Sequence, residues 1–478
     1  MPAPTLRRAA AGGRDRELTP RLFGALVAGK LAGRASRLLH RGGGTSLPGV
    51  VARYVAPDVL AEVRLGAGVR TVLVTGSNGK TTTSRFTTGL LRGEGIHVAT
   101  NSAGANLVQG VTSMVVEAAE LRGRIRSGVL VGEVDEAAVA PVASQIPPDV
   151  LLVTNLFRDQ LDRFGELHAV ARALEGVANR LPSASTWIVN ADDPLVASLA
   201  SDRAGKRLTF GFDLDRSTDS ITRAADTIRC PRCSSDLVYE RVYLSHLGDY
   251  RCPNCHFARP PLDVAVVGLE TPAIDRTEVT LRTPAGELSV SIPQGGIHIA
   301  YDAAAAVAIL VALGTPLRNA VASFAAVSPA FGRLERVRAG ERDIILGFVK
   351  NPTSFNTTLN SLLPHNEPRH LLLAMSSSLV DGEDFAWLWD VNLEAIACRL
   401  EHVTVSGTRA DELANRLKYA GVDASITEAV AEPEMALERA LAALPAGVPL
   451  VILAGYTPTI GLRQAMERRR WVGPYWEA

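Results

Sequence analysis

The residues Thr75-Gly76-Ser77-Asn78-Gly79-Lys80-Thr81-Thr82 directly follow the apolar run Val72-Leu73-Val74. A strand that runs into a glycine loop and then a helix is built to hold phosphate. Gly76 and Gly79 let backbone N–H groups turn towards phosphate oxygens. Lys80 supplies a point charge for the outer phosphates, and the Thr81 hydroxyl can ligate Mg²⁺. A helix over roughly 82–93 points its positive end at the same anion. The loop departs from the general phosphate-loop pattern, because Val74 stands where that pattern has its first glycine. The bland alternative is a structural glycine turn. The preceding β run, the second glycine and the following helix favour ATP.

A second cluster reads Cys230-Pro231-Arg232-Cys233, then eighteen residues, then Cys252-Pro253-Asn254-Cys255. Two such knuckles can place four thiolates about 2.3 Å from one Zn²⁺. With no open position, the metal would be structural. The alternative is two reduced, unliganded pairs. His246 and His256 are surplus to a filled shell. Cys398, inside a helical pattern, reads as a small core residue.

Polar residues end several predicted strands, where α/β sheets place ligands. Glu133 is the candidate second Mg²⁺ ligand, whereas Asp135 and Glu136 better suit a helix cap. Asn155 to Arg163, which includes Asp159, is too polar just past a strand to be only a solvated face. Asn190-Ala191-Asp192-Asp193-Pro194 fits either a site or an Asx turn. Arg333, at the join to the last domain, can reach a phosphate when domains close. Lys350-Asn351-Pro352 ends a strand and starts a helix, a place for nucleotide contacts. Asp381 to Asp390 sets Asp381, Asp384 and Asp390 beside Trp387 and Trp389, a partner or substrate surface or else a solvated acidic turn over core tryptophans.

The elements that must position these residues are short apolar strands alternating with helical patterns. Strands are expected at 71–75, 128–133, 150–155 and 187–190, then at 344–349, 371–375, 403–405 and 450–453. That rhythm predicts an α/β fold with mostly parallel sheets. The expected division is an N-terminal arm over 1–68, a central ATP-binding domain over 69–330 and a smaller Rossmann-like domain over 331–478. The cysteine ribbon, at about 225–262, is an insertion in the central domain.

With 478 residues, 50 Lys+Arg and 50 Asp+Glu, the chain has no charge surplus to favour nucleic acid as a bulk partner. The apolar stretch 22–31 is broken by Lys30 and is too short for a transmembrane helix. No signal peptide is recognisable, and the reduced-cysteine pattern fits the cytoplasm.

Taken together, these motifs resemble the Mur ligases, whose ATP loop also lacks the first glycine. Within them the chain looks like the MurT branch, the ligase-like subunit of lipid II isoglutaminyl synthase. The supporting residues are Arg41 to Gly49, Thr75 to Thr81, Glu133 to Ala137, Asn155 to Arg163, the cysteine ribbon, Lys350 to Thr353 and Asp381 to Asp390. The resemblance implies a Mur ligase-like central domain and ATP with Mg²⁺ and structural Zn²⁺ as cofactors. It implies amidation of the D-glutamate α-carboxylate of lipid II through an acyl phosphate, in peptidoglycan biosynthesis. Ammonia would come from a partner glutaminase of the GatD type. In the family, the ligase-like subunit lends an aspartate to that partner's Cys–His pair, and Asp381, Asp384 and Asp390 are the candidates. One departure is that Arg172 and Arg180 follow Asp162 where many Mur ligases carry a carbamylated lysine. Two alternatives stand beside this reading. One is an amino-acid-adding Mur or folylpolyglutamate-type ligase. The other is a zinc-ribbon binding module with a structural loop.

Overall fold

The computed structural model describes residues 18–38, 46–101, 105–157, 167–199, 205–218, 229–327, 334–377, 381–382 and 384–473. Asp159 and Arg333 lie outside the described residues, as do most of the Arg41 to Gly49 motif and Glu383.

In chain order the first strands are β1 (Arg64–Thr75), β2 (Val98–Thr100), β3 (Arg124–Glu133), β4 (Val150–Val153), β5 (Thr186–Asn190) and β6 (Arg207–Phe212). A two-stranded ribbon follows, β7 (Val238–Leu244) and β8 (Leu247–Arg251). Then come β9 (Val264–Ala273), β10 (Arg276–Thr283) and β11 (Gly286–Ile292). The first sheet runs β11-β10-β9-β6-β5-β4-β1-β3-β2. It is parallel from β2 to β9 and ends in an antiparallel meander. β1 sits between β3 and β4, so the chain reverses its order across the sheet at β1. Such a switch point opens a crevice beyond the carboxyl ends of the strands, and the glycine loop falls there.

Two cores cover the two faces. On one, Leu73 and Val153 pack with Met114, Val139 and Leu174. On the other, Val72, Val74 and Leu152 meet the helix Ile297–Leu313. Ala303 to Ala306 are all buried, and their small side chains let this helix lie close to the sheet. Phe86 of the helix Lys80–Gly93 meets Phe324 edge to face at 5.2 Å. The segment read as an arm is more integrated than an arm. Its helices Pro20–Leu38 and Leu47–Val55 bury Leu22, Ala25, Leu26 and Ala52 in the first core.

The last third forms a second sheet from β12 (Glu335–Ala339), β13 (Arg342–Phe348), β14 (His370–Ala374), β15 (His402–Ser406), β16 (Thr427–Val430) and β17 (Leu450–Ala454). Its order is β12-β13-β17-β14-β15-β16, with only β12 antiparallel. Cys398 is a correction. The helix Glu394–Ala397 stops just before it and leaves the thiol exposed rather than in the core.

Candidate active site

β1 delivers Thr75, fully buried, to the crevice. Gly76 then turns with φ of 122° and Gly79 with φ of 86°, both in the left-handed region. Space demands glycine as well. A Cβ on Gly76 would collide with Thr154 Oγ1, and one on Gly79 with Asp302 Oδ1. The loop is pinned by the end of β4. Ser77 N donates to Asn155 O at 2.9 Å, and Asn78 N donates to Asn155 Oδ1 at 2.9 Å. Thr154 Oγ1 donates to Asn78 O at 2.7 Å. Ser77 Oγ accepts from Phe157 N at 3.0 Å and donates to Phe157 O at 3.1 Å. A cradle fixed on so many sides is held in shape before any ligand arrives.

Lys80 opens the helix Lys80–Gly93 and is almost wholly buried, at 7% exposure. Its Nζ donates to the carbonyls of Gly76 and, at 3.4 Å, Ser77, and faces Glu136 Oε2 at 3.3 Å. Burial pushes the Glu136 carboxyl above its ordinary range, while Lys80 and then Lys350 pull it back. Glu136 was expected only to cap a helix, and it proves to be the counter-charge of the loop lysine. Asp135 does make the expected local turn, accepting from Ala137 N at 3.1 Å. Glu133 ends β3 opposite Val74 of β1, buried at 5% exposure. Its backbone is clamped by Asn101, whose Oδ1 accepts from Glu133 N at 2.8 Å and whose Nδ2 donates to Glu133 O at 2.7 Å. Glu133 thus ends the strand beside the loop, and the half-buried Thr81 is the second residue of the helix that follows it.

The second sheet reaches the same loop. Lys350, just past β13, donates from Nζ to Ser77 O at 3.1 Å. Asn351 Nδ2 donates to Asn78 Oδ1 at 3.3 Å. Asn351 also caps the helix Pro352–Leu362 in a reciprocal box with Ser354, so its position is fixed. Between the units lies a cleft lined by Gly79, His298, Tyr301, Asp302 and Phe348 and by Leu244 and Leu247 of the β7–β8 turn.

That turn belongs to the cysteine ribbon. The four thiols lie within 4.8 Å of one another. Four 2.3 Å bonds to a tetrahedral Zn²⁺ would separate the sulfurs by about 3.8 Å, so the donor set fits the metal. Each knuckle closes through a left-handed residue after its second cysteine, Ser234 (φ 61°) and His256 (φ 58°). His256 therefore serves the turn and His246 the core: the latter's ring packs tilted against Phe157, 4.6 Å between centroids, and faces Asp193 Oδ2 at 3.4 Å. The Asp192-Asp193 pair is structural. Asp193 caps the helix Pro194–Ser198 through Leu195 N and Val196 N. Asp192 accepts from Arg259 Nη1 at 2.9 Å, Phe212 N at 2.7 Å and Tyr301 Oη at 2.8 Å. Burial pushes its carboxyl up to about 6 against the pull of Arg259.

The acidic tryptophan loop belongs to the second unit. Asp381 Oδ1 accepts from Thr457 N at 2.8 Å, and Asp384 Oδ1 from Ala386 N at 2.8 Å. Asp384 and Asp390 are exposed, and Asp381 is half-buried. Trp389 is 54% exposed, 5.5 Å from Tyr419 and beside Arg416. Among the described residues, Thr154, Glu136, Leu244 and Leu247 are site residues that sequence reasoning missed. Thr154 adjoins Asn155 and was within reach.

Comparison with known proteins adds a family to this geometry. Residues 348–459 match the description MurT ligase C-terminal, and residues 74–257 match Mur ligase middle domain. The subunit MurT of lipid II isoglutaminyl synthase (glutamine-hydrolyzing) from Streptococcus pneumoniae is 31% identical over 93% of this chain and 97% of its own. The chain belongs to the MurT family. Its fold is similar to that of a pseudomurein peptide ligase type C from Methanothermus fervidus, with a TM-score of 0.66 and 19% identity over 84% of this chain and 79% of that one. It is also similar to Mycobacterium tuberculosis folylpolyglutamate synthase complexed with ADP and AMPPCP. There the TM-score is 0.58 and identity 17%, over 92% of this chain and 98% of that one. A Mur ligase-like α/β fold is therefore established for this MurT-family chain. Among the described residues, no helix is long and apolar enough to cross a membrane.

Proposed function

We propose that this chain is the ligase subunit of a lipid II isoglutaminyl synthase. It uses ATP to amidate the α-carboxylate of D-glutamate in the stem peptide, giving D-isoglutamine. The near full-length likeness to a protein of that name carries the reading, and the clamped glycine loop supplies the chemistry. A carboxylate is a poor electrophile. Its oxygen attacks the γ-phosphorus of ATP, ADP leaves, and the acyl phosphate gains a leaving group. Ammonia then attacks the carbonyl carbon, and inorganic phosphate departs.

In this reading the central unit, 69–330, binds ATP, and the C-terminal unit, 331–478, closes on it. Backbone N–H groups of Gly76 to Lys80 hold the phosphates, and Lys80 turns from Glu136 to the outer ones. Thr75, Thr82 and Asn155 keep the cradle in shape. Thr81 and Glu133 would hold Mg²⁺, whose contribution is to neutralise phosphate charge. Asp159 and Arg333 remain candidates for nucleotide contacts. Lys350 approaches from the second unit and adds charge as the cleft closes, where water would otherwise hydrolyse the acyl phosphate. Cys230, Cys233, Cys252 and Cys255 would hold Zn²⁺ as a scaffold. A GatD-type glutaminase supplies ammonia in the cytoplasm, at the membrane surface where lipid II is displayed. Asp381, Asp384 and Asp390 are the candidates for completing its site, and the exposure of Asp384 and Asp390 suits them best to reach across.

The test is reconstitution with lipid II, ATP, glutamine and a GatD-type partner, read by mass spectrometry of the stem peptide. Amidation that requires both subunits is expected. An unmodified peptide would sink the proposal. Incorporation of an added amino acid without the glutaminase would replace it with an amino-acid-adding ligase.

A further inference from the structure

The helices Pro20–Leu38 and Leu47–Val55 bury one face and leave the other to solvent. They run antiparallel: Gly24 lies opposite Val55, and Gly29 packs against Pro48 and Ala52. On the outer side stand Phe23, Leu31, Leu47, Val50 and Tyr54, at 43–90% exposure with Tyr54 the highest. Val50 and Tyr54 are four residues apart, so they share one helix face. Scattered exposed apolar residues need no explanation, but large ones concentrated on two packed helices do.

Charge makes the patch one-sided. Among the described residues of 18–38 and 46–57 are the cations Arg21, Lys30, Arg34 and Arg53 and no aspartate or glutamate. The chain as a whole balances its charges, 50 against 50. The acids beside it are the exposed Asp58, just past the second helix, Glu62, which accepts from Thr19 Oγ1, and Glu117, whose carbonyl accepts from Lys30 Nζ. Apolar side chains mixed with an excess of cations match a bilayer of anionic lipids. A second copy fits badly, because two-fold pairing of this face would set cations against cations.

The patch also adjoins the site. Gly49 packs on the backbone of Gln109, two residues beyond Leu107, which is 54% exposed. Asn106 O accepts from Asp135 N at 2.9 Å, next to Glu136 and Lys80.

We infer that these two helices form a docking surface for an anionic membrane, holding the cleft against the leaflet that displays the substrate. The inference rests on the reading of the substrate as lipid-anchored. Its test separates the two. The full chain, alone and with its glutaminase partner, is floated with phosphatidylglycerol–phosphatidylcholine vesicles and with phosphatidylcholine vesicles. The variants are Leu31→Ser/Tyr54→Ser and Arg34→Glu, each checked for an unchanged melting curve. The wild type is expected to float with the anionic vesicles and the variants to lose at least about fivefold of the bound fraction. Amidation of a water-soluble lipid II analogue should stay unchanged in all of them. Absence of wild-type binding overturns the proposal. So does binding that appears only after residues 1–17 are removed, or a variant that changes oligomeric state or releases the glutaminase instead. If vesicles bind but the soluble analogue is never amidated, the docking surface stands and the functional reading fails.

Discussion

Lys80 is held by two loop carbonyls and by Glu136, partners that phosphate oxygens would replace in the proposed reading. Removing the ammonium removes charge that is useful only when phosphate is being transferred. Lys80→Ala is expected to lower ATP-dependent amidation by about 10²–10³-fold with an unchanged circular dichroism spectrum. Glu136→Gln should act in the other direction on binding. A triphosphate brings negative charge towards a buried carboxylate that burial already pushes up. Binding should push it up further and take up a proton, so wild-type nucleotide affinity should rise as pH falls through this raised range. Stability has the same sign: a folded-state pKa above the unfolded one means that stability falls as pH rises through the window between them. Glu136→Gln should bind nucleotide several-fold tighter at neutral pH and lose that pH dependence, as measured by calorimetry across a pH series. The loop itself was legible from the sequence, because its chemistry is local. Its counter-charge was not, since Lys80 and Glu136 meet only when β1 and β3 pair.

At the scale of elements, the cysteine ribbon connects a metal-binding framework to the cleft. Its turn sends Leu244 and Leu247 into the lining. Arg259 and Tyr250 fasten it to the sheet, through Asp192 and through Ala191 O at 3.1 Å. Cys252→Ser should therefore do more than release metal. It should lower the melting temperature and weaken nucleotide binding together. Leu247→Ala isolates the second effect: it should cost about 2–4 kcal/mol of stability and several-fold in nucleotide affinity, with metal content unchanged by elemental analysis. The central strands β1, β3, β4, β5, β13, β14, β15 and β17 and the ribbon spacing could be read in advance, because continuous apolar runs and paired cysteines are short-range patterns. Where the ribbon docks could not. Arg259 and Asp192 are 67 residues apart, and the role of Asp193 as a cap looks in sequence like any acidic turn. Cys398 was misread for a related reason: a helical pattern gives periodicity, but here the helix ends before the position is reached.

The whole molecule consists of two α/β units whose strand ends face a common cleft. Among the described residues, polar contacts join them through Lys350 to Ser77, Asn351 to Asn78, and Arg336 to Asp275 at 3.7 Å, while Ile274 packs on the apolar core of the second unit. Polar contacts of this kind suit a joint that opens and shuts with each turnover, because water can take up their groups when it parts. The three contacts should not weigh equally. Arg336 is 59% exposed and its pairing is screened, so Arg336→Ala should change activity by less than about threefold. Lys350 is set against the loop near Glu136, where closure would add its charge to the phosphates in the proposed reading. Lys350→Ala should therefore lower kcat about 10²-fold while nucleotide affinity, set mainly by the central unit, shifts less than about threefold. Unamidated turnover should rise, because a cleft that closes poorly admits water to the acyl phosphate. The ratio of phosphate released to peptide amidated, followed with and without glutamine, measures this directly. A ratio that stays at one in Lys350→Ala would mean that closure does not depend on this contact.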